Sequence, residues 1–256
     1  MEKILSISVA AYNVEKYLEN LIESVVQSKY IDKIELLIIN DGSKDSTQKI
    51  AETYANRFPK SVFAIDKENG NYGSTVNKSL SIATGKYFKL LDGDDWYNTR
   101  DLDKLIETLE KNDVDLAVTN YTQVIEGGEK ITSNVEGVEF GRIYKFNEVK
   151  LPNLGMWSLT YKTELLRQCD LELPTGISYT DMIYSVYPMS IVSSVIILDF
   201  DVYQYRIGRD GQTVSPASVI KSIDQLLQVN YELIDFMVNN ISIQNKEYLE
   251  NRVAQY

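Results

Sequence analysis

The sequence predicts an α/β fold: a doubly wound, mostly parallel central sheet, then a smaller mixed region and C-terminal helices. Three observations predict it. Over residues 1–120, short apolar runs alternate with stretches of helical periodicity. One of those runs, 34–39, is almost continuously apolar, as a strand buried on both faces requires. Polar residues gather in three strand-to-helix turns: Tyr12-Asn13, Asp41-Gly42-Ser43 and Asp92 to Asp95. If the strands are parallel, all three turns open on one carboxyl edge, where open α/β sheets bind ligands.

Residues 4–10 form the first expected strand, and Ala11-Tyr12-Asn13 turns the chain. Val14, Tyr17, Leu18, Leu21, Ile22, Val25 and Val26 recur at helical spacing, which predicts an amphipathic helix over 14–28. After the strand 34–39, Asp45 or Ser46 starts a helix to about residue 56. A third strand, 62–65, leads into a loop rich in turn residues, 67–74. A short helix over 75–84 is expected to close at Gly85 in the C′ position. Tyr87, Phe88, Leu90 and Leu91 make the next strand, which ends in the acid turn. Asn98 or Thr99 caps a helix to about residue 111, with Leu102, Leu105, Ile106 and Leu109 on one face. A strand follows over 114–119. Beyond it the pattern changes: a β-hairpin over 121–131, strands over 138–146 and 156–161, and a short helix over 163–169. Asp181 opens a helix that Pro188 should kink or break. Strands over 195–199 and 202–206 precede a polar loop, 206–215. An apolar helical stripe (Ile220, Ile223, Leu226, Leu227, Leu233, Ile234, Met237) then marks a packing or partner helix over 217–240. The expected organisation is one domain over 1–215, in halves 1–120 and 121–215, and a helical segment over 216–256.

The chain has 256 residues and a formal net charge of −11. That charge argues against nucleic acid, whose phosphates need a basic footprint. It does not argue against a metal–diphosphate ligand. The single cysteine, Cys169, makes no internal disulfide and fits a reducing compartment. There is no histidine, which rules out Ser-His-Asp and Cys-His catalysis and His-ligated zinc within the chain. Any general base is therefore Asp, Glu, Lys, Tyr or Cys. No stretch approaches the ~20 apolar residues of a membrane span. The expectation is a soluble, cytoplasmic protein, with attachment to the inner face of the cell membrane left open.

Clustered carboxylates repel one another unless a cation neutralises them. Asp92, Asp94 and Asp95 thus suit a hard divalent ion, Mg²⁺ or Mn²⁺, which takes oxygen ligands and can bridge to a diphosphate. A solvated acidic turn that caps a helix is the alternative on residue type alone. The phosphate-binding pattern G-x-x-x-x-G-K-[ST] is absent, and so is G-x-G-x-x-G. The alternation is therefore not that of an ordinary dinucleotide fold.

Four segments in order resemble the family-2 glycosyltransferases, which have the GT-A fold. Ser6 to Asn13 is similar to the family's opening strand and Tyr-Asn turn. Asn40-Asp41-Gly42-Ser43-Lys44-Asp45-Ser46-Thr47 resembles its Asp-Asp-Gly-Ser-x-Asp-x-Thr segment. Asn69-Gly70 to Asn77 resembles its Asn-Gly loop and helix. Ala83 to Trp96 resembles its Ala-x-Gly-Lys-Tyr strand and Asp-x-Asp-Asp-Trp turn. Later, Thr180-Asp181 resembles the family's Glu-Asp pair, and Tyr203-Gln204-Tyr205-Arg206 a Tyr-x-Tyr-Arg strand before a lid loop. Residues 207–215, including Gln212, are similar to members from bacterial surface-polysaccharide synthesis. The chain departs at Ala10, where the family has proline, at Asn40, where it has an acid, and at Val76, where it has arginine. The Gln-x-x-Arg-Trp motif of processive synthases is absent.

The resemblance implies a hexosyltransferase-type enzyme. It would move a single sugar, with inversion, from a nucleotide-diphosphate sugar (a UDP-sugar) to a hydroxyl of a glycan or lipid-linked acceptor in cell-surface polysaccharide synthesis. It implies Mn²⁺ or Mg²⁺ as cofactor, held by Asp95 or Asp94, with Asp94 near the ribose and Asp92 orienting the turn. Asp41 suits the ring N–H of a uracil, and Tyr12 suits stacking on it, with Ala11, Asn13 and Asn69 shaping the nucleotide loops. Asp181 is the expected base; a charge in the first turn of a helix is the plainer reading. Lys78 stands in for the missing arginine at the diphosphate. Arg206 and Arg209 are candidates for a lid clamp on the diphosphate, or charges of a solvated loop. Met156, Trp157 and Tyr179 form an acceptor platform or belong to the core. Two other classes compete: a nucleotidyltransferase, which lacks its glycine-rich loop here, and a non-catalytic nucleotide-sugar binder.

Overall fold

The computed structural model describes residues 2–125, 128, 130–133, 135–208, 212, 216–239 and 244–255. Strand β1 (Leu5–Ala11) leads to helix α1 (Leu18–Val26), then β2 (Ile34–Asn40), α2 (Thr47–Arg57), β3 (Val62–Asp66) and α3 (Asn71–Ile82). Next come β4 (Tyr87–Asp92), the short β5 (Trp96–Tyr97) and α4 (Thr99–Lys111). The second half holds β6 (Leu116–Ile125), β7 (Lys130–Ser133), β8 (Ile143–Lys145), β9 (Leu159–Lys162), α5 (Thr163–Gln168), α6 (Asp181–Val186) and β10 (Ser194–Ile207). Helices α7 (Pro216–Lys221), α8 (Ile223–Asn239) and α9 (Lys246–Val253) follow. Among the described residues, no helix is long and apolar enough to cross a membrane.

All the strands named belong to one sheet, in the order β3-β2-β1-β4-β9-β6-β10-β5, with β7 on β6 and β8 on β10. The first four run parallel, as the alternation requires: β2 pairs with β3 and β1, and β1 with β4. β6 and β10 are also parallel. β9 is antiparallel to both β4 and β6 and joins the two halves. β2 is buried along its whole length, consistent with an apolar run interrupted only by Glu35 before Asn40 ends it. Alternation along β1 sends Ser6 and Ser8 to the α3 side, where Ser8 meets Ser79, while Ile7 and Val9 enter the opposite core layer. Glu35 is buried on the serine side with donors on both oxygens: Ser6 Oγ (2.6 Å), Thr84 N (2.8 Å) and Thr84 Oγ1 (2.9 Å).

Several boundaries differ from the sequence expectation. Helix α1 starts at Leu18 rather than at 14, because residues 13–15 are bonded to the next turn. Val14 N donates to Thr47 Oγ1 and Glu15 N to Asp45 Oδ2. Helix α3 starts four residues early, and Gly85 is not its left-handed cap. The helix ends at Ala83 in an extended conformation. Glycine is needed at 85 because a Cβ there would lie 2.5 Å from Ser6 N. The cap Asn98 does accept from Asp101 N. The strand expected over 138–146 shrinks to β8, and the two expected over 195–206 are one strand, β10, with register shifts between Leu198 and Tyr203. Met156–Ser158 is a 3-10 turn that leads into β9. The hairpin strands β6 and β7 pair antiparallel as expected. Pro188 starts a 3-10 turn just after α6. The helical stripe is broken at Ser222, between α7 and α8.

Candidate active site

The carboxyl ends of β1, β2 and β4 open into one cavity of about 500 Å³. Ala11, Tyr12 and Asn13 form the wall at the end of β1. Tyr12 is 52% exposed, so its ring is presented rather than packed. Asn13 has a left-handed φ of 51° and braces the next turn: its Oδ1 accepts Lys44 N at 2.8 Å. Asn71 and Tyr179 also line the cavity with positive φ, 62° and 66°. Backbone strain of this kind concentrates at functional sites.

Asp41 follows β2 and is 3% exposed at the cavity wall. Its Oδ1 accepts Lys67 Nζ at 2.6 Å and Gly70 N at 2.9 Å. Asn69 does not line the cavity. Its amide donates to the Asp41 carbonyl (2.8 Å), so it buttresses Asp41 from behind.

The acid turn divides. Asp92 and Asp94 line the cavity, and Gly93 between them donates to Ala10 O (3.1 Å). Asp95 is 1% exposed and lies behind the wall. Its Oδ2 accepts the Tyr203 hydroxyl at 2.7 Å and its Oδ1 accepts Arg206 N at 2.7 Å. Burial, with Asp92 and Asp94 adding negative charge, holds the Asp95 carboxyl well above the ordinary carboxylate range. Of the two candidates for metal ligand, Asp95 and Asp94, only Asp94 lines the cavity, while each oxygen of Asp95 accepts a bond from β10.

Asp181, at the first position of α6, lines the same cavity and is half-buried. Burial raises its carboxyl; backbone N–H donors and the charge of Arg252 on α9 partly offset that. Met156, Trp157, Ser178 and Tyr179 line the cavity too. Tyr72 of α3 stands between the two groups of acids: burial first, then the charges of Asp92 and Asp181, push its phenol well above its ordinary range.

Three further expectations change. Lys78 is exposed on α3 and does not line the cavity; Tyr72 and Thr75 are the α3 residues that do. Val76, in the arginine position, is packed in the core. Arg206 is not a free clamp: its Nε donates to Asp94 O at 3.0 Å, and its guanidinium lies over the rings of Trp96 and Tyr17. Arg209 lies outside the described residues. Gln212, in the same loop, lines the cavity and turns back on β10, with Nε2 donating to Arg206 O and Oε1 accepting Gly208 N.

Sequence reasoning assigned no role to Asn71, Tyr72, Thr75, Ser178, Tyr205 or Gln212 in the cavity. For Tyr205 a signal existed: strand alternation from Tyr203 puts both tyrosines on one face. For Tyr72 and Thr75 the signal was lost with the misplaced start of α3. Among the described residues, no group of three or more acidic or cysteine side chains converges as a complete metal cage.

The model of the family described as "Glycosyl transferase family 2" matches residues 6–179. The chain is 27% identical over 242 residues to the uncharacterized glycosyltransferase EpsJ of Bacillus subtilis, covering 91% of this chain and 69% of EpsJ. It is 27% identical over 249 residues to the glycosyltransferase GlyA of Streptococcus pneumoniae, covering 92% of this chain and only 35% of GlyA. Its fold is similar to that of S. aureus TarS 1–349, crystallised in complex with UDP-GlcNAc. That TM-score is 0.73, at 20% identity, over 98% of this chain and 71% of TarS 1–349. The mannosyltransferase PcManGT from Pyrobaculum calidifontis, in complex with GDP-Man and Mn²⁺, gives a TM-score of 0.62 at 17% identity, over 92% of this chain and 65% of PcManGT. The sheet is thus that of the GT-A fold. With the family model matching two-thirds of its length over the cavity-forming turns, the chain belongs to glycosyl transferase family 2 and is a glycosyltransferase.

Proposed function

We propose that this protein transfers a single sugar, with inversion, from a UDP-sugar to a hydroxyl of a glycan or lipid-linked acceptor in cell-surface polysaccharide synthesis. One observation carries the reading: a single cavity gathers Tyr12 and Asp41 from two turns, Asp92 and Asp94 from the third, and Asp181 from α6. TarS in complex with UDP-GlcNAc supports a nucleotide-sugar donor. The name of Bacillus subtilis GgaB, a minor teichoic acid biosynthesis protein 32% identical over 114 residues, supports a surface-polymer acceptor.

Asp41 accepts the N–H of the base while Lys67 fixes its other edge, and the Tyr12 ring stacks on the base. Asp94 and Asp92 would hold a divalent ion. Two carboxylates at the cavity wall would suit Mg²⁺ or Mn²⁺, hard ions that take oxygen ligands. When bound, the ion supplies positive charge against the departing diphosphate. The acceptor hydroxyl oxygen forms the new bond to the anomeric carbon. The bond from that carbon to the diphosphate oxygen breaks, and its electron pair leaves with the UDP. Asp181 Oδ takes the hydroxyl proton. Attack opposite the leaving group inverts the centre, so no covalent enzyme intermediate is required. Arg206 acts on the site indirectly, by holding the Asp94 carbonyl.

Thermal shift with UDP, with and without Mn²⁺, followed by a donor panel read by mass spectrometry, tests this reading. The expected result is metal-dependent stabilisation by UDP, lost in Asp94→Asn, and transfer from one UDP-sugar. No stabilisation by UDP, or full metal-dependent stabilisation in Asp94→Asn, overturns it.

A further inference from the structure

Among the described residues, Lys89 is the one lysine side chain that is wholly buried, at 0% exposure on β4, three residues before Asp92. Its Nζ donates to two backbone carbonyls, Trp157 O at 2.8 Å and Leu159 O at 3.2 Å. Burial alone pulls its ammonium down to about 7, with no carboxylate offsetting it. An uncompensated charge in a core costs stability, and a methionine of equal reach would fill the same space. The lysine therefore supplies something that packing does not.

The geometry shows what that is. The β4–β9 ladder consists of Tyr87↔Lys162 and Phe88↔Tyr161, and it stops one residue before Lys89. Past that point the chain before β9 leaves the sheet as the 3-10 turn Met156–Ser158. Lys89 bonds the Trp157 carbonyl of this departing segment and the Leu159 carbonyl at the start of β9, where pairing with β4 has ended. The segment carries Trp157, whose ring stacks on Tyr205 (centroids 4.7 Å apart) and lies against Tyr121 (5.1 Å). A Cβ on Gly155 would fall 2.3 Å from the same ring. The indole is thus held on several sides, and its remaining freedom is movement with its backbone. Trp157 and Tyr205 line the cavity together with Asp181, and Asp92 and Asp94 line it at the end of β4.

We infer that Lys89 is a positioning residue: its ammonium fixes the Trp157 wall at a set distance from the strand that carries the acid turn, and so sets the width of the cavity between the donor and acceptor sides. Misplacing reacting groups by about 1 Å can cost on the order of 100-fold in rate. A cross-tie between the two walls is one way for a fold to prevent that.

Trp96 and Trp157 are the two tryptophans of the chain, so in a Trp96→Phe background Trp157 alone reports. Adding Lys89→Met to that background is expected to shift Trp157 emission to the red and raise its acrylamide quenching. UDP affinity with Mn²⁺ should stay within about twofold, because Asp41 and Asp94 are held by other bonds. Turnover of the best donor from the panel should fall by about tenfold or more with its KM nearly unchanged. Lys89→Gln, which keeps an amide donor, should give an intermediate emission shift and serves if Lys89→Met does not fold. The kinetic arm rests on the proposed transfer reaction. The emission arm does not, so a protein that binds no UDP still decides the inference. Trp157 emission and quenching unchanged in both variants, or a fall in melting temperature with no change in either readout, overturns it.

Discussion

The Tyr203 hydroxyl donates to Asp95 Oδ2 at 2.7 Å, joining residues 108 positions apart. With the Arg206 N–H on its other oxygen, Asp95 ties the acid turn to β10. Of the three acids in the turn, this is the one turned into the protein.

Asp95 is therefore expected to matter for stability more directly than for the metal. Tyr203→Phe should lower unfolding free energy in urea by about 1–2 kcal/mol. Asp95→Ala should cost more, about 3 kcal/mol, since a buried hydroxyl and a buried N–H both lose their acceptor. At 4 °C, where Tyr203→Phe stays folded, Mn²⁺-dependent UDP binding should be retained within a few-fold. Wild-type stability with lost metal dependence would return Asp95 to the ligand set.

Asp181→Asn should leave UDP affinity within about threefold while turnover falls by about 10²–10⁴. A base works only when ionised, so kcat falls as pH drops through its pKa. Burial raises that pKa above the ordinary 3.8, so the acid limb of kcat should lie above that of an exposed aspartate. An acid limb at or below 3.8, or loss of UDP binding in Asp181→Asn, removes Asp181 from the base role.

Gly85→Ala places a methyl 2.5 Å from Ser6 N and 2.8 Å from Leu5 C, both backbone atoms of β1 or its edge. Backbone cannot rotate away as a side chain can. The expected cost is about 1–3 kcal/mol, read by urea unfolding. It should be larger than that of Gly128→Ala, where a Cβ meets nothing within 4 Å and only the positive φ opposes it. Equal costs at the two sites would show that β1 moves aside freely.

Much of the first half was legible because its information is local. Residues 34–39 are apolar at every position but Glu35, and a strand with that pattern is buried on both faces wherever it is placed. Leu102, Leu105, Ile106 and Leu109 are all 0% exposed, on the face that their spacing predicted. The turns with Tyr12, Asp41 and Asp92 to Asp94 meet at one cavity because parallel strands must all end at the same edge. The second half was less legible. β9 is four residues long and antiparallel to both its neighbours, and nothing local in 159–162 names β4 and β6 as partners.

What the sequence by itself determined is the alternation of elements, the edge where polar turns collect, and the chemical types gathered there. Periodicity and turn chemistry are properties of neighbouring residues, and they survive without knowledge of the rest of the chain. The tertiary structure alone decided how similar residues divide their work. Asp94 and Asp95 are adjacent and chemically alike, yet one lines the cavity and the other accepts bonds from Tyr203 and Arg206. Lys78 and Lys89 are both lysines, yet one is exposed on α3 and the other is sealed between sheet and turn. The physical reason is the same in each pair: a carboxylate or ammonium takes its role from the donors, acceptors and water that surround it, and those arrive from segments remote in the chain.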